Sequence, residues 1–211
     1  MSDEATVVTG RVTLRRCCLV LAAGMGARMG GPKALLSWRG RPLASAHAQS
    51  RRHDCARTIV VTRESIAEVL RRADASLELL VSEEPDALGP AGSIAAAVRS
   101  GALSSEAVVI VTPVDVLPAS TAVVEALAGA LGPAEAARPS RGGGRPGHPV
   151  ACDAGMLRRE YAHAARPLRE VLGSLGDRCV TVPVQEPEAV RDLDTPEAWE
   201  AMAGSRPDFW R

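Results

Sequence analysis

Aromatic residues are scarce in this chain: one Phe, one Tyr and three Trp in 211 positions. That scarcity excludes the stacking platforms on which single-stranded nucleic acids are held. It also leaves Ala, Val and Leu to build a core of thin, closely packed layers. Net charge is missing as well, because 25 basic residues balance 25 acidic ones. Without a positive field of its own the chain lacks the footprint of a nucleic-acid binder. No apolar run approaches the ~20 residues that span a bilayer, and the first sixteen residues are polar and mixed rather than signal-like. Neither a nucleic acid nor a membrane is expected as a partner. Five cysteines, at 17, 18, 55, 152 and 179, form an odd set without a C-x-x-C pair. That argues against a disulfide framework or a zinc site and for the reducing cytoplasm.

What is present is an alternation of short apolar runs with helix-like segments. Residues 17–22, 58–62, 77–81 and 107–112 read as buried strands, and 43–52, 66–73, 92–101 and 120–131 as the helices between them. This alternation predicts an α/β fold, doubly wound around a parallel sheet. Residues 132–149 concentrate Pro133, Pro139, Gly142, Gly143, Gly144 and Pro146, which reads as a loop. It is either a mobile active-site loop or a plain connector. Beyond it come a strand at 148–152, helices at 156–161 and 168–175, a strand at 179–184 and a last helix from Pro196. The expected organisation is a flexible extension over 1–14, one domain over 15–204 and a C-terminal tail over 205–211.

The segment 21–33, Leu-Ala-Ala-Gly-Met-Gly-Ala-Arg-Met-Gly-Gly-Pro-Lys, follows the first strand and reads as a triphosphate cradle. Glycines 24, 26, 30 and 31 let backbone amides turn inward, since glycine tolerates positive φ and carries no Cβ. Arg28 offers a planar fork for two phosphate oxygens, and Lys33 a compact point charge on a long stem. Two familiar glycine motifs fail here. A P-loop needs Ser or Thr after its lysine, where Ala34 stands, and a dinucleotide fingerprint needs glycine where Met29 stands. A surface turn whose glycines serve geometry alone is the bland alternative.

Asp115 follows the β-branched run 108–111 and then Thr-Pro-Val, so a rigid strand delivers a carboxylate to the end of the sheet where α/β folds bind ligands. Magnesium is held through one or two such carboxylates plus substrate phosphates. Asp192 and Asp194 offer a second carboxylate on one face of an extended segment. Either could be the metal ligand, and Asp194 could instead cap the helix that starts near Pro196. His47, His53 and His163 lie outside any motif and read as surface or helix residues.

Taken together, 21–30 with Lys33, Gly89-Pro-Ala-Gly-Ser93, Thr112-Pro-Val-Asp115, Gly147-His-Pro-Val150 and Asp192-Leu-Asp-Thr-Pro-Glu197 resemble the signature of the MobA-like nucleotidyltransferases. These include the molybdenum cofactor guanylyl- and cytidylyltransferases and the sugar-phosphate cytidylyltransferases. The resemblance implies a single Rossmann-like three-layer α/β/α domain with a mostly parallel sheet. It implies a magnesium-dependent transfer of a nucleoside monophosphate from an NTP to a phosphorylated acceptor, with release of pyrophosphate. Arg28, Lys33 and Asp115 take the catalytic positions, and Leu21, Ala22, Ala23, Gly24, Gly26, Lys33, Gly89 and Ser93 the nucleotide-binding ones; Ser93 suits an N-cap equally. Arg145 and His148, with Arg141 nearby, fall where the acceptor binds. Asp115 with Asp194 or Asp192 falls at the metal.

Leu21-Ala-Ala-Gly24 and Gly-His-Pro-Val lean toward the cytidylyl branch, hence CTP over GTP and molybdopterin as acceptor. Val114 and Val116 depart from that branch, which more often carries Cys before the aspartate and Gln after it. A sugar or polyol phosphate acceptor therefore stays open, as does a non-catalytic nucleotide- or cofactor-binding module. A molybdoenzyme or a maturation chaperone is the implied protein partner.

Overall fold

The apolar runs pair side by side into one central sheet. In the computed structural model, which describes residues 16–83, 88–186 and 191–211, β1 (Arg16–Leu21) lies between β4 (Arg57–Thr62) and β6 (Val108–Pro113). Both pairings are parallel, with Cys18 level with Thr58 on one side and with Ile110 on the other. β5 (Glu78–Val81) adds outside β4. Beyond β6 come β8 (Val150–Asp153), β7 (Ala136–Ser140) and β9 (Cys179–Pro183), which gives the order β5-β4-β1-β6-β8-β7-β9. Only β8 runs against the rest: it pairs antiparallel with both β6 and β7, whereas β7 pairs parallel with β9. The extension expected over 1–14 lies outside the described residues.

Alternate side chains of β1 point to opposite faces, as the pleat requires. Cys17, Leu19 and Leu21 join the core under α3 (Gly89–Arg99), α5 (Ala154–Tyr161) and α6 (Leu168–Ser174). Cys18 and Val20 face α1 (Leu43–Ser50), α2 (Glu64–Ala73) and α4 (Thr121–Gly129). The result is the expected three-layer α/β/α domain, mostly parallel. Its layers can be thin because Ala, Val and Leu fill them: Ala44, Ala95, Ala137 and Ala151 are all fully enclosed.

Two stretches depart from the sequence reading. The loop expected over 132–149 contains strand β7, although that strand includes Pro139. Proline is tolerated there because β8 pairs with β7 only at Ala136 and Ala137. Past that point the Pro139 carbonyl accepts from the Gly147 amide at 2.9 Å, so the missing N–H faces a side where the ladder has ended. α3 starts at Gly89 rather than 92, with Pro90 in its first turn, where the absent N–H costs nothing.

A small hairpin, β2 (Ser37–Trp38) with β3 (Arg41–Pro42), was not legible in the sequence. The final segment does not trail away after α7 (Pro196–Ala203). The Trp210 amide donates to the Leu35 carbonyl at 2.9 Å, and the Ser37 amide to the Asp208 carbonyl at 2.7 Å. Phe209 thereby rests beside the glycine loop.

Candidate active site

From β1 the chain winds outward through β4 and β5, then crosses back to β6 on β1's other side. At the carboxyl ends the continuations part: the Ala22 amide donates to the Val61 carbonyl at 2.8 Å, and the Val114 amide to the Leu21 carbonyl at 3.1 Å. A crevice opens there, as expected where strand order reverses. It forms a cleft of about 410 Å3. Leu21, Ala23, Gly24, Gly26, Arg28, Lys33, Gly89, Ser93, Asp115 and Asp194 line it, so the sequence motifs converge. Ala27, Met29, Pro90, Pro113 and Val114 complete the wall. Ala22, Asp192, Arg145 and His148 do not line it.

The loop's shape follows from its glycines, but not all for the same reason. Gly26 has φ +60°, and a Cβ there would stand 2.1 Å from the Gly31 carbonyl oxygen. Its own carbonyl accepts from the amides of Met29 and Gly31, at 2.8 and 3.3 Å, closing the loop on itself. Among the described residues no group accepts from the amides of Ala23 through Arg28. Six consecutive donors at a strand's carboxyl end are what an anion-binding concavity supplies. Gly31 serves packing instead of the anion: a Cβ on it would meet the Phe209 ring at 3.0 Å.

Charge in the cleft is paired. Lys33 Nζ lies 2.6 Å from Asp194 Oδ1, and Arg28 Nη2 lies 3.1 Å from Asp194 Oδ2. The hydrogen bond from Lys33, ahead of the charges of Lys33 and Arg28, holds the Asp194 carboxyl below its usual range. The capping alternative for Asp194 does not hold, because Thr195 takes that place and its hydroxyl accepts from the Ala198 amide at 3.2 Å. Ser93 is buried inside α3, past its first turn, and is not its cap.

Asp115 is the opposite case. Burial lifts its carboxyl to about 6, with Lys33 working against that rise and Asp192 and Asp194 adding to it. Its Oδ1 is buried and accepts no hydrogen bond among the described residues. Asp192 is exposed and just outside the cleft. Among the described residues no group of three or more His, Cys, Asp or Glu stands together as a ready-made metal cage.

Around this centre the structure places the remaining residues. Ala22 is fully buried and its carbonyl accepts from the Thr62 hydroxyl at 3.1 Å. Arg63 Nε donates to the Ala23 carbonyl at 2.6 Å; the sequence reading missed it, although a cation directly past the end of β4 was the signal. Arg141 and Arg145 are exposed on a turn closed by the Gly144 amide on the Arg141 carbonyl at 3.0 Å. His148 has its Nδ1 buried without a partner among the described residues. Burial lowers its basicity, and Asp192 opposes that shift. One exposed carboxylate thus acts on both His148 and Asp115. His47 is helical, as expected, but it is buried rather than on the surface.

The sequence profile of the MobA-like NTP transferase domain matches residues 18–180. The chain belongs to that family. A molybdenum cofactor guanylyltransferase of Xanthomonas euvesicatoria pv. vesicatoria is 30% identical over 195 residues, which cover 90% of this chain and 95% of that protein. The lean toward the cytidylyl branch is not carried by this relative. Among solved structures, a Mycobacterium tuberculosis H37Rv protein in complex with manganese matches with a TM-score of 0.70 at 19% identity, covering 90% of this chain and 99% of that one. The 4-diphosphocytidyl-2C-methyl-D-erythritol synthase of Anaerococcus prevotii matches with a TM-score of 0.65 at 14% identity, over 90% and 97%. This MobA-like protein is accordingly a nucleotidyltransferase.

Proposed function

We propose that the enzyme transfers a nucleoside monophosphate, from CTP in preference to GTP, to a phosphorylated acceptor of the molybdopterin class. The observation that carries this reading is the cleft itself: six amides from Ala23 to Arg28, unpaired among the described residues, beside two cations held by one carboxylate. A triphosphate entering the cleft meets the amides of the loop and draws Lys33 and Arg28 from Asp194 to its β- and γ-oxygens. A terminal oxygen of the acceptor phosphate attacks the α-phosphorus, a new P–O bond forms, and the bond to the β-phosphate oxygen breaks. Pyrophosphate leaves with its charge facing Lys33 and Arg28. The attacking oxygen is already anionic, so positioning and charge neutralisation suffice and no general base is needed.

A divalent cation, magnesium by preference, fits the donors present. The buried, unpartnered Oδ1 of Asp115 is a hard oxygen donor, and Asp194, once Lys33 and Arg28 have turned to phosphate, supplies a second, with Asp192 close behind. Two carboxylates plus phosphate oxygens make a typical magnesium site. When bound, the metal would supply Lewis-acid neutralisation of the phosphates. Leu21, Ala23, Gly89 and Ser93 form the nucleoside side of the site, and Ala22, whose amide and carbonyl are both bonded to β4, only supports it from behind. Arg145 and His148, at the carboxyl edge beyond β6, form the acceptor side. The choice of CTP rests on Leu21-Ala-Ala-Gly24 and Gly147-His-Pro-Val150, and the molybdopterin-class acceptor on the guanylyltransferase relative. We place the reaction in the cytoplasm, in keeping with five free thiols, and its product with a molybdoenzyme or maturation chaperone.

A sugar or polyol phosphate acceptor is the second reading, favoured by Val114 and Val116 around Asp115 and by the fold shared with the A. prevotii synthase. One experiment separates these: incubation with each of the four NTPs, magnesium and either molybdopterin or a panel of sugar and polyol phosphates, with pyrophosphate release as readout. Release with CTP and molybdopterin supports the proposal, whereas release only with GTP or only with a polyol phosphate replaces its base or its acceptor. No release with any combination would favour a non-catalytic binding module.

A further inference from the structure

The loop that carries Asp115 is tied down at four points by three separate parts of the chain. The Val114 amide donates to the Leu21 carbonyl at 3.1 Å, and the Asp115 carbonyl accepts from the Leu193 amide at 2.5 Å. The Val116 carbonyl faces His47 Nε2 at 3.0 Å, and the Ala119 carbonyl accepts from Arg51 Nη2 at 2.5 Å. The last two ties come from one helix face, because His47 and Arg51 are four residues apart at the end of α1. Both side chains are almost wholly enclosed. A carbonyl only accepts, so the Nε2 of His47 must carry the proton. Burial keeps the ring neutral by pushing its pKa down to about 4. Arg51 is fixed in turn by Asp54, at 3.0 Å, and by the Ser50 hydroxyl, at 3.1 Å.

A helix interior gains nothing from a buried imidazole and a buried guanidinium unless their hydrogen bonds do something apolar residues could not. Here they bond to backbone carbonyls one and four residues after the carboxylate at the end of β6. We propose that His47, supported by Arg51, is a positioning residue that sets the Asp115 carboxylate by holding the Val116 and Ala119 carbonyls. The inference rests on the reading of Asp115 as the metal-binding carboxylate of the transfer reaction. Without the ties, residues 114–119 could shift by a fraction of an ångström, and small misplacements of a reacting group are costly to rate.

The test compares His47→Gln, whose amide nitrogen can take the place of Nε2, with His47→Leu, which keeps bulk but has no donor. Pyrophosphate release is followed against magnesium and against NTP, alongside thermal melting. His47→Leu should lose kcat by roughly 10- to 100-fold and need more magnesium for half its maximal rate, while the KM for NTP stays within a few-fold because loop 24–33 is untouched. His47→Gln should recover most of the loss. If His47→Leu does not fold, His47→Asn, whose shorter amide cannot reach Val116, replaces it. A folded His47→Leu or His47→Asn protein with wild-type kcat and magnesium response would overturn the proposal, as would a Gln variant no better than these. Asp115→Asn in the same assay separates the two levels. Full activity in Asp115→Asn sinks the reading of Asp115, whereas an inactive Asp115→Asn beside a fully active His47→Leu sinks the positioning role alone.

Discussion

Lys33 and Asp194, 161 residues apart in sequence, meet through Nζ and Oδ1 at 2.6 Å. The sequence offered one as a phosphate cation and the other as a metal ligand, two roles with no reason to touch. Their contact makes Asp194 the counter-ion of the cleft's two cations; under the proposed function, nucleotide entry frees that carboxylate.

Lys33→Ala should weaken triphosphate binding by roughly 10- to 100-fold, the equivalent of one lost charge-assisted hydrogen bond. Calorimetry reads this directly, and unchanged affinity would remove Lys33 from the site. Asp194→Ala should act in two directions. With a chelator present it binds free triphosphate more tightly than the wild type, since Lys33 and Arg28 no longer have a competitor. With magnesium present it turns over more slowly.

Asp115 should give the enzyme a pH signature. Its carboxyl is lifted to about 6 by burial, so activity that needs the carboxylate should rise as pH climbs through about 6. Stability should move the other way. A proton bound more tightly in the folded state favours folding at low pH, and that contribution fades as pH rises from the ordinary carboxyl value of about 4 through about 6. Asp115→Asn should therefore lose turnover by orders of magnitude yet melt higher than wild type at pH 8, with little difference at pH 4. Melting curves at the two pH values check the second half.

The glycines of the loop should separate by mechanism. Gly26→Ala places a Cβ against the Gly31 carbonyl at a positive φ, so the loop must rearrange and both affinity and melting temperature fall. Gly24→Ala meets nothing within 4 Å and has an ordinary φ, so the fold should keep its melting temperature. Because Gly24 lines the cleft, affinity for NTP should still drop. Paired melting and calorimetry on the two variants distinguish them.

Phe209→Ala removes a part-buried ring from beside Gly31. The cost should be about 1–2 kcal/mol, less than for a fully enclosed Phe. Because the ring rests on the phosphate loop, the KM for NTP should rise while kcat changes little. A variant ending at Gly204 should behave the same way and more strongly. Steady-state kinetics with an unchanged KM would show that the C-terminal segment supports the fold without reaching the loop.

How much of this could be read from the chain depended on whether one local signal governed the outcome. β1, β4 and β6 were legible because each is a continuous apolar run, buried on both faces. Asp115 and the glycine loop were legible because a charge or a cluster of glycines directly past such a run has few structural uses. β7 was not, since its Pro139 and the glycines that follow mimic a loop, and only the early end of the β8 ladder makes that proline acceptable. The burial of His47 and the contact of Phe209 with Gly31 were hidden for another reason. Both depend on segments far apart in sequence, and no periodicity within either segment points to the partner. The Lys33–Asp194 pair belongs with these: residue types suggested functions, but not that one would hold the other.

The reversal of β8 determines which segments can share the reaction's edge. Val150 pairs with Val111 in antiparallel register, so the residues before β8 arrive beside Asp115 rather than at the far end of the sheet. One strand direction thus seats two independent segments on either flank of β6. The glycine loop and α3 stand on one flank, and the turn at 141–148 on the other. On the proposed acceptor assignment, grafting residues 141–148 from a relative should change which phosphate ester is used while the affinity for NTP stays the same.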